Sequence, residues 1–141
     1  MKPESAAFLR KAREFLAKAA FMLDDWPDEA GRAAYLAGLH GAQALIVERT
    51  NKIAKSHRGV QRELARLTRD EPDFDSALRA FLGRAYNLKA IADYDTGEAR
   101  VVIEQAREAI QTATRLIETV AGMLPPNGPA LQAREKPKSS G

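Results

Sequence analysis

The sequence predicts an all-α fold, an antiparallel up-and-down bundle of four to five helices. Three observations lead to this prediction. Apolar residues recur at intervals of three and four along every long segment, which is the spacing of one helix face. No segment alternates apolar and polar residues with the period of two that a half-buried strand shows. The breaks between segments are short, and short connections join antiparallel neighbours in a bundle.

The first two helices are predicted over residues 3–25 and 28–52, with Trp26-Pro27 as the break between them. The middle of the second helix, residues 33–47, is apolar nearly all round, which predicts burial on most of its sides. Gly38 and Gly41 lie in this stretch, where a glycine costs about 1 kcal/mol relative to alanine. They indicate the close approach of another helix, from the same chain or from a second subunit.

The third, fourth and fifth helices are predicted over residues 57–70, 76–91 and 97–123. Polar residues that favour N-cap positions precede them, namely Ser56, then Asp73 or Asp75, then Thr96. The helical bundle is therefore assigned to residues 1–124. Residues 125–141 are rich in proline and polar side chains and contain no aromatic residue, so we expect a disordered tail.

Length and composition restrict the class of protein. A chain of 141 residues without cysteine predicts one domain with neither disulfides nor a cysteine metal site. The longest apolar run, at 33–47, is shorter than the roughly 20 residues that span a bilayer. No apolar signal segment follows the N-terminus. We therefore expect a soluble cytoplasmic protein without a membrane partner.

Positive charge is concentrated in one part of the chain. Between Arg49 and Arg69 there are seven Lys or Arg residues against the single acid Glu63, whereas the whole chain has a formal net charge of +3. Such a local field attracts phosphate-bearing partners or an acidic protein surface. The alternative is an ordinary solvated helix face.

The two histidines have different surroundings. His40 lies in the apolar second helix, which predicts a packed side chain with a hydrogen-bond partner. His57 begins the third helix beside Lys55 and Arg58, and both positive neighbours and a helix N-terminus favour a neutral imidazole. A neutral imidazole can take a proton from a ribose 2′-hydroxyl as a general base, while a nearby arginine or lysine holds the phosphate. The alternative is that His57 only helps to cap its helix.

Acidic residues at the end of the fourth helix, Asp93 and Asp95, oppose the helix dipole. They predict cationic partners, such as the basic residues at 55–62, although Asp95 could instead cap the fifth helix. The common metal, nucleotide and hydrolase motifs are absent from the sequence, as are the Glu-x-x-His pairs of a di-iron bundle. No metal and no cofactor is therefore predicted.

Three segments in the same order resemble HEPN-domain proteins (higher eukaryotes and prokaryotes nucleotide-binding), over about residues 5–124. They are AYLAGLHGAQAL at 34–45, KSHRG at 55–59 and RAYNLKAIADYD at 84–95. The likeness is greatest to the small stand-alone prokaryotic branch. It implies a bundle of four to five helices that forms a homodimer and is often encoded beside a minimal nucleotidyltransferase as a toxin–antitoxin pair.

The resemblance also implies site residues. Many members are metal-independent ribonucleases that use an Arg-x(4–6)-His motif, in a site assembled across the dimer. His57 is then the general base and Arg49 the arginine, although seven residues separate them here. The residues expected to bind phosphate or nucleotide, or to hold the 55–58 loop by charge pairing, are Lys55, Ser56, Arg58, Arg84, Asp93 and Tyr94.

Three functions remain open from the sequence. The first is an RNA-cutting, toxin-like enzyme. The second is a non-catalytic partner that binds a nucleotide or a nucleotidyltransferase through its basic stretch. The third is a structural homodimer in which the Ala/Gly-rich second helix packs against its twin.

Overall fold

The computed structural model describes residues 1–94, 97 and 100–126. All regular secondary structure in these residues is helical, which confirms the predicted all-α bundle. The five helices are α1 (Pro3–Met22), α2 (Pro27–Thr50), α3 (His57–Leu67), α4 (Ser76–Tyr94) and α5 (Ile103–Met123). The predicted tail lies outside the described residues from 127 onward. Within the described ranges, none of the helices combines the length and hydropathy needed to cross a bilayer.

Helix α2 is the central element, and its small residues let neighbours of the same chain approach closely. A Cβ atom on Gly38 would lie 2.2 Å from the Phe81 ring of α4, and one on Gly41 would lie 3.1 Å from Ile117 of α5. Most of α2 from Ala30 to Val47 is buried in this way. The small residues of the second helix therefore accommodate neighbouring helices of the same chain, the first of the two sources that the sequence left open.

The directions of the helices follow from pairs of contacting residues. At the start of α1, the backbone N–H of Lys2 donates to Glu48 near the end of α2 (3.0 Å), so these helices are antiparallel. At the other end of α2, Gly31 lies against Leu88 of α4 and against Val101, just before α5. Together with the contacts of Gly38 and Gly41, this places α4 antiparallel and α5 parallel to α2.

Local capping explains several helix ends. The Ser56 hydroxyl accepts from the Gly59 N–H (3.0 Å), which confirms the predicted N-cap of α3. Of the two candidates before α4, Asp75 is the cap, since its carboxylate accepts from the Leu78 N–H (3.1 Å). Helix α2 ends at Asn51, which has a left-handed backbone (φ 62°) that asparagine tolerates better than most residues.

The start of the fifth helix differs from the prediction. Helix α5 begins at Ile103 and not at 97, because the backbone at residue 102 is extended. The N–H of buried Val101 donates to the Asp28 carboxylate (3.0 Å), which ties this segment to the first turn of α2. The predicted N-cap Thr96 and the candidate acid Asp95 lie outside the described residues.

Candidate functional site

The connection at residues 51–56, called the return loop below, determines where His57 lies. Halfway along it, the Ala54 carbonyl accepts from the Gln43 side-chain amide of α2 (2.9 Å). After the loop, His57 reaches Tyr35, about two turns nearer to the start of α2 than Gln43. The return loop therefore runs back along α2 and carries the start of α3 to the middle of the bundle.

His40 supports the return loop through Gln43. Its ring packs against Phe8 and Phe15 of α1, with ring centroids 6.0 and 5.5 Å away. Its Nδ1 lies 2.7 Å from the side-chain oxygen of Gln43 and donates to it, while the amide nitrogen of Gln43 holds Ala54. The prediction of a packed histidine with a hydrogen-bond partner is confirmed.

His57 lies in a cluster with two tyrosines. Its Nδ1 is 2.7 Å from the hydroxyl of Tyr35, which is 2% exposed. Its ring lies against that of Tyr86, with centroids 4.2 Å apart and planes 31° apart, and Tyr86 is 41% exposed. The buried tyrosine thus anchors one imidazole nitrogen, and the exposed tyrosine covers one side of the ring. Among the residues that the structure describes, Nε2 has no hydrogen-bond partner, so it is the nitrogen left for another molecule.

A solvent-open cavity of about 530 Å³ adjoins this cluster, and we call it the His57 cavity. Its volume is within the range of roughly 300–1,000 Å³ that is common for ligand sites. Each lining residue carries a polar group, and together they offer a hydroxyl, an imidazole, a guanidinium, an amide and a phenol, from Ser56, His57, Arg58, Gln61 and Tyr86.

The protonation states of the pair follow from its surroundings. Partial burial lowers the pKa of His57 below its usual value of 6.5, and the neighbouring Arg58 lowers it further. Burial raises the pKa of Tyr35 to about 12, with a smaller contribution from Tyr86. At neutral pH the site therefore contains a neutral imidazole beside a neutral phenol. The direction agrees with the sequence prediction, although burial is a larger cause than the positive neighbours.

Helix α3 gives the site a positive surface. Val60 and Leu64 are buried, and the opposite side of the helix, called the basic face below, exposes Arg58, Arg62 and Arg66. Arg66 is paired with Glu63 (2.6 Å). The ion pairs found in the described part of the chain do not include Arg58 or Arg62. These two arginines are about one helical turn apart, and the first of them, Arg58, lines the His57 cavity.

Arg49 lies away from His57 within one chain. Its guanidinium donates to the Met123 carbonyl at the end of α5 (3.2 Å). Along α2, Arg49 follows Tyr35 by 14 residues, which is about 21 Å of helix. Since His57 contacts Tyr35, the predicted arginine and the predicted base are not brought together by the fold of a single chain.

Asp93 has different partners from those predicted. Its carboxylate accepts from Arg32 Nε of α2 (2.7 Å) and from Lys89 Nζ of α4 (2.5 Å). Lys89 first and Arg32 second hold the pKa of the Asp93 carboxyl below its usual range. The expected charge pairing of Asp93 with the 55–58 loop is therefore wrong. The contact with Arg32 instead fastens the end of α4 to the first part of α2, and the contact with Lys89 lies within α4.

Arg84 and Tyr94 lie outside the His57 cavity. Arg84 precedes Tyr86 by two residues, which is about 200° around the helix. It lines another cavity, of about 330 Å³, between α4 and α5 beside Phe81 and Leu88. Tyr94 is 77% exposed at the end of α4. Of the residues predicted from the sequence, the structure places Ser56, His57 and Arg58 in the His57 cavity, with Lys55 exposed next to them on the return loop.

Sequence reasoning missed Tyr35, Gln61 and Tyr86 as members of the site. Tyr35 carried a signal, because it has the only hydroxyl in the apolar stretch at 33–47 and a buried tyrosine usually has a hydrogen-bond partner. Gln61 follows His57 by four residues, the spacing that places two side chains on one helix face. The role of Tyr86 depends on how α4 packs, and no local pattern shows that.

Comparison with known proteins supports the resemblance. A family model described as the HEPN domain matches residues 5–123. The matched span contains the whole of α2, α3, α4 and α5 and all residues that line the His57 cavity. A comparison with curated proteins gives no match.

Proposed function

The chain belongs to the HEPN family, and from this premise we propose that it binds RNA at the His57 cavity and cleaves it without a metal ion. One observation carries the proposal: a neutral imidazole is anchored at Nδ1 by Tyr35, and His57 lines an open cavity together with other residues that carry polar groups. We place this activity in a cytoplasmic toxin–antitoxin-like system.

The reaction we propose is transesterification. The ribose 2′-oxygen attacks the phosphorus, the P–O2′ bond forms and the P–O5′ bond breaks, leaving a 2′,3′-cyclic phosphate and a 5′-hydroxyl. The 2′-hydroxyl loses a proton and the departing 5′-oxygen gains one, each exchanged with a side chain or with water. His57 is the group for one of these transfers, and the predicted role is that of general base.

The phosphate is held by the positive groups beside the imidazole. Arg58 lines the His57 cavity and is exposed, and a guanidinium can bind two phosphate oxygens at once. Lys55 precedes it on the return loop, and Ser56 caps the helix whose N-terminal dipole also favours an anion. These groups would stabilise the charge that develops on the phosphate oxygens during attack.

The test is cleavage of total tRNA and of a labelled single-stranded RNA in EDTA. Wild type should give products with 2′,3′-cyclic phosphate ends. His57→Ala should be slower by about 10²- to 10⁴-fold, the usual contribution of a positioned acid–base group. Arg10→Ala, on the exposed side of α1, is the matched control and should cleave normally. Equal cleavage by wild type and His57→Ala, or a strict metal requirement, would refute the proposal.

The position of Arg49 favours a second candidate function. Within one chain, the arginine and the histidine of the family pattern lie apart. A protein without catalytic activity does not need to bring these two residues together. The chain would then bind a nucleotide or a minimal nucleotidyltransferase, with the basic face of α3 as the docking surface. A stable complex that Arg62→Glu weakens, together with intact RNA in the cleavage assay, is the result expected from this function.

A further inference from the structure

The hydrogen bond between Tyr35 and His57 has a direction, because Tyr35 is a buried residue, 2% exposed. Within residues 1–94, 97 and 100–126, its hydrogen-bond partner is His57 Nδ1 alone, at 2.7 Å. If the hydroxyl accepted a hydrogen from Nδ1, its own hydrogen would have no acceptor among the residues that the structure describes. Leaving a buried donor without an acceptor is unfavourable. Donation from the hydroxyl to Nδ1 satisfies both groups.

We infer that Tyr35 is a positioning residue that sets the tautomer of His57, so that the neutral imidazole carries its hydrogen on Nε2. Nδ1 is then an acceptor, and Nε2 is the hydrogen-bond donor of a side chain that lines the His57 cavity. The high pKa of Tyr35, about 12, keeps the phenol protonated at neutral pH and maintains this arrangement.

The consequence for RNA rests on the proposed function. In the resting protein the side chains of His57 and Arg58 are both hydrogen-bond donors, and both line the cavity. The two therefore bind a phosphate group together, His57 through Nε2–H. A base at Nε2 needs the opposite tautomer, with the hydrogen on Nδ1. The general-base role predicted from the sequence therefore belongs to the minor tautomer, and the donor role belongs to the major one.

Other charged or titratable groups lie near the imidazole. Arg58 is next to it on α3, and Tyr86 lies against it from α4. Lys89 is farther out, with its ammonium group 6.0 Å from the centroid of the Tyr86 ring. A test of Tyr35 must therefore leave Arg58, Tyr86 and Lys89 in place.

Nitrogen-15 NMR of the two histidines tests the inference without RNA. His57→Gln assigns the signals, since only His40 then remains. Above the pKa of His57, wild type should show a pyridine-type Nδ1 and a pyrrole-type Nε2. In Tyr35→Phe this preference should disappear. The pKa of His57 should also rise toward 6.5, because a hydrogen bond to the neutral form has been removed.

Tyr86→Phe is the matched control. It removes a neighbouring hydroxyl that does not bond to the imidazole and keeps the ring that covers it, so tautomer and pKa should stay as in wild type. A pyrrole-type Nδ1 in wild type, or a lower His57 pKa in Tyr35→Phe, would overturn the inference. If Tyr35→Phe does not fold by circular dichroism, the wild-type spectrum alone decides. Failure of RNA cleavage would refute the proposed function and leave this result standing.

Discussion

At the scale of single residues, two histidines are held by two different kinds of partner. His40 donates from Nδ1 to an amide oxygen that can only accept, so its hydrogen bond has one possible direction. His57 faces a hydroxyl, which can donate or accept, and only the burial of that hydroxyl selects the direction. The chemistry available at His57 therefore depends on a residue that does not itself line the cavity.

The lowered pKa values of the histidines predict a pH-dependent stability. Burial lowers the pKa of His57 and of His40, so between the folded value and about 6.5 the unfolded chain binds more protons than the folded one. The free energy of unfolding should consequently fall as the pH is lowered from about 7 to 5. Urea unfolding followed by circular dichroism at both pH values measures this difference.

His57→Gln provides the control for this effect, because it removes one of the two titrating groups and leaves His40. The difference in stability between the two pH values should become smaller in the variant. The carboxylates with lowered pKa, such as Asp93, keep their contribution down to their unfolded value of about 4 and lose it only as the pH falls further, through the lowered folded value. A stability that is constant or that increases on acidification to pH 5 would contradict the prediction.

At the scale of single elements, the small residues of α2 determine how closely the other helices approach. The Phe81 ring lies where a Cβ atom of residue 38 would be, so α4 is closer to α2 at this point than a larger side chain would permit. The same helix carries Tyr35 to His57 and Gln43 to the return loop. The packing of α2 is therefore a condition for the geometry of the site.

Gly38→Ala should destabilise the protein by about 1 to 3 kcal/mol, the usual cost of overpacking a core. The added methyl group would lie 2.2 Å from the ring of Phe81. Gly122→Ala is the matched control, because no side chain or other helix in the described part of the chain lies within 4 Å of its Cβ position. That change should be neutral or stabilise α5 by up to about 1 kcal/mol. Equal effects of the two substitutions in urea unfolding would contradict the assigned packing.

The basic face of α3 makes a separate prediction about binding. Arg62→Glu should weaken the binding of a labelled single-stranded RNA and make the affinity less dependent on salt, because a phosphate contact is lost. Arg10→Glu on α1 makes the same change of charge on a helix without substantial contact with α3. Fluorescence anisotropy over a salt series compares the two variants. Equal loss of affinity in both would show that net charge matters and the basic face does not.

At the scale of the whole molecule, the sequence predicts the helices better than it predicts their contacts. Apolar spacing locates all five helices, and local signals identify Ser56 and Asp75 as caps. The contact of His57 with Tyr35 depends on the return loop running back along α2. The pairing of Asp93 with Arg32 depends on α4 being antiparallel to α2. Such contacts between distant residues follow from the packing of whole helices, which no local pattern contains.

The separation of Arg49 and His57 leads to a prediction about assembly. The family resemblance implies a homodimer with a shared site, and in that arrangement Arg49 of one subunit would act with His57 of the other. Arg49→Ala and His57→Ala should then each be inactive alone. A mixture of the two variants, refolded together, should regain activity, because each mixed dimer contains one site with both residues intact.

Random mixing makes half of the dimers heterodimers with one intact site of two, so we expect about one quarter of wild-type RNA cleavage. Light scattering of the purified protein should give the mass of a dimer under the same conditions. The control is a mixture of His57→Ala with Tyr35→Phe, because Tyr35 and His57 contact each other within one chain. No subunit in this mixture has both residues intact, so activity should not exceed that of Tyr35→Phe alone. A monomer by light scattering, or no recovery in the first mixture, would show that Arg49 does not complete the site.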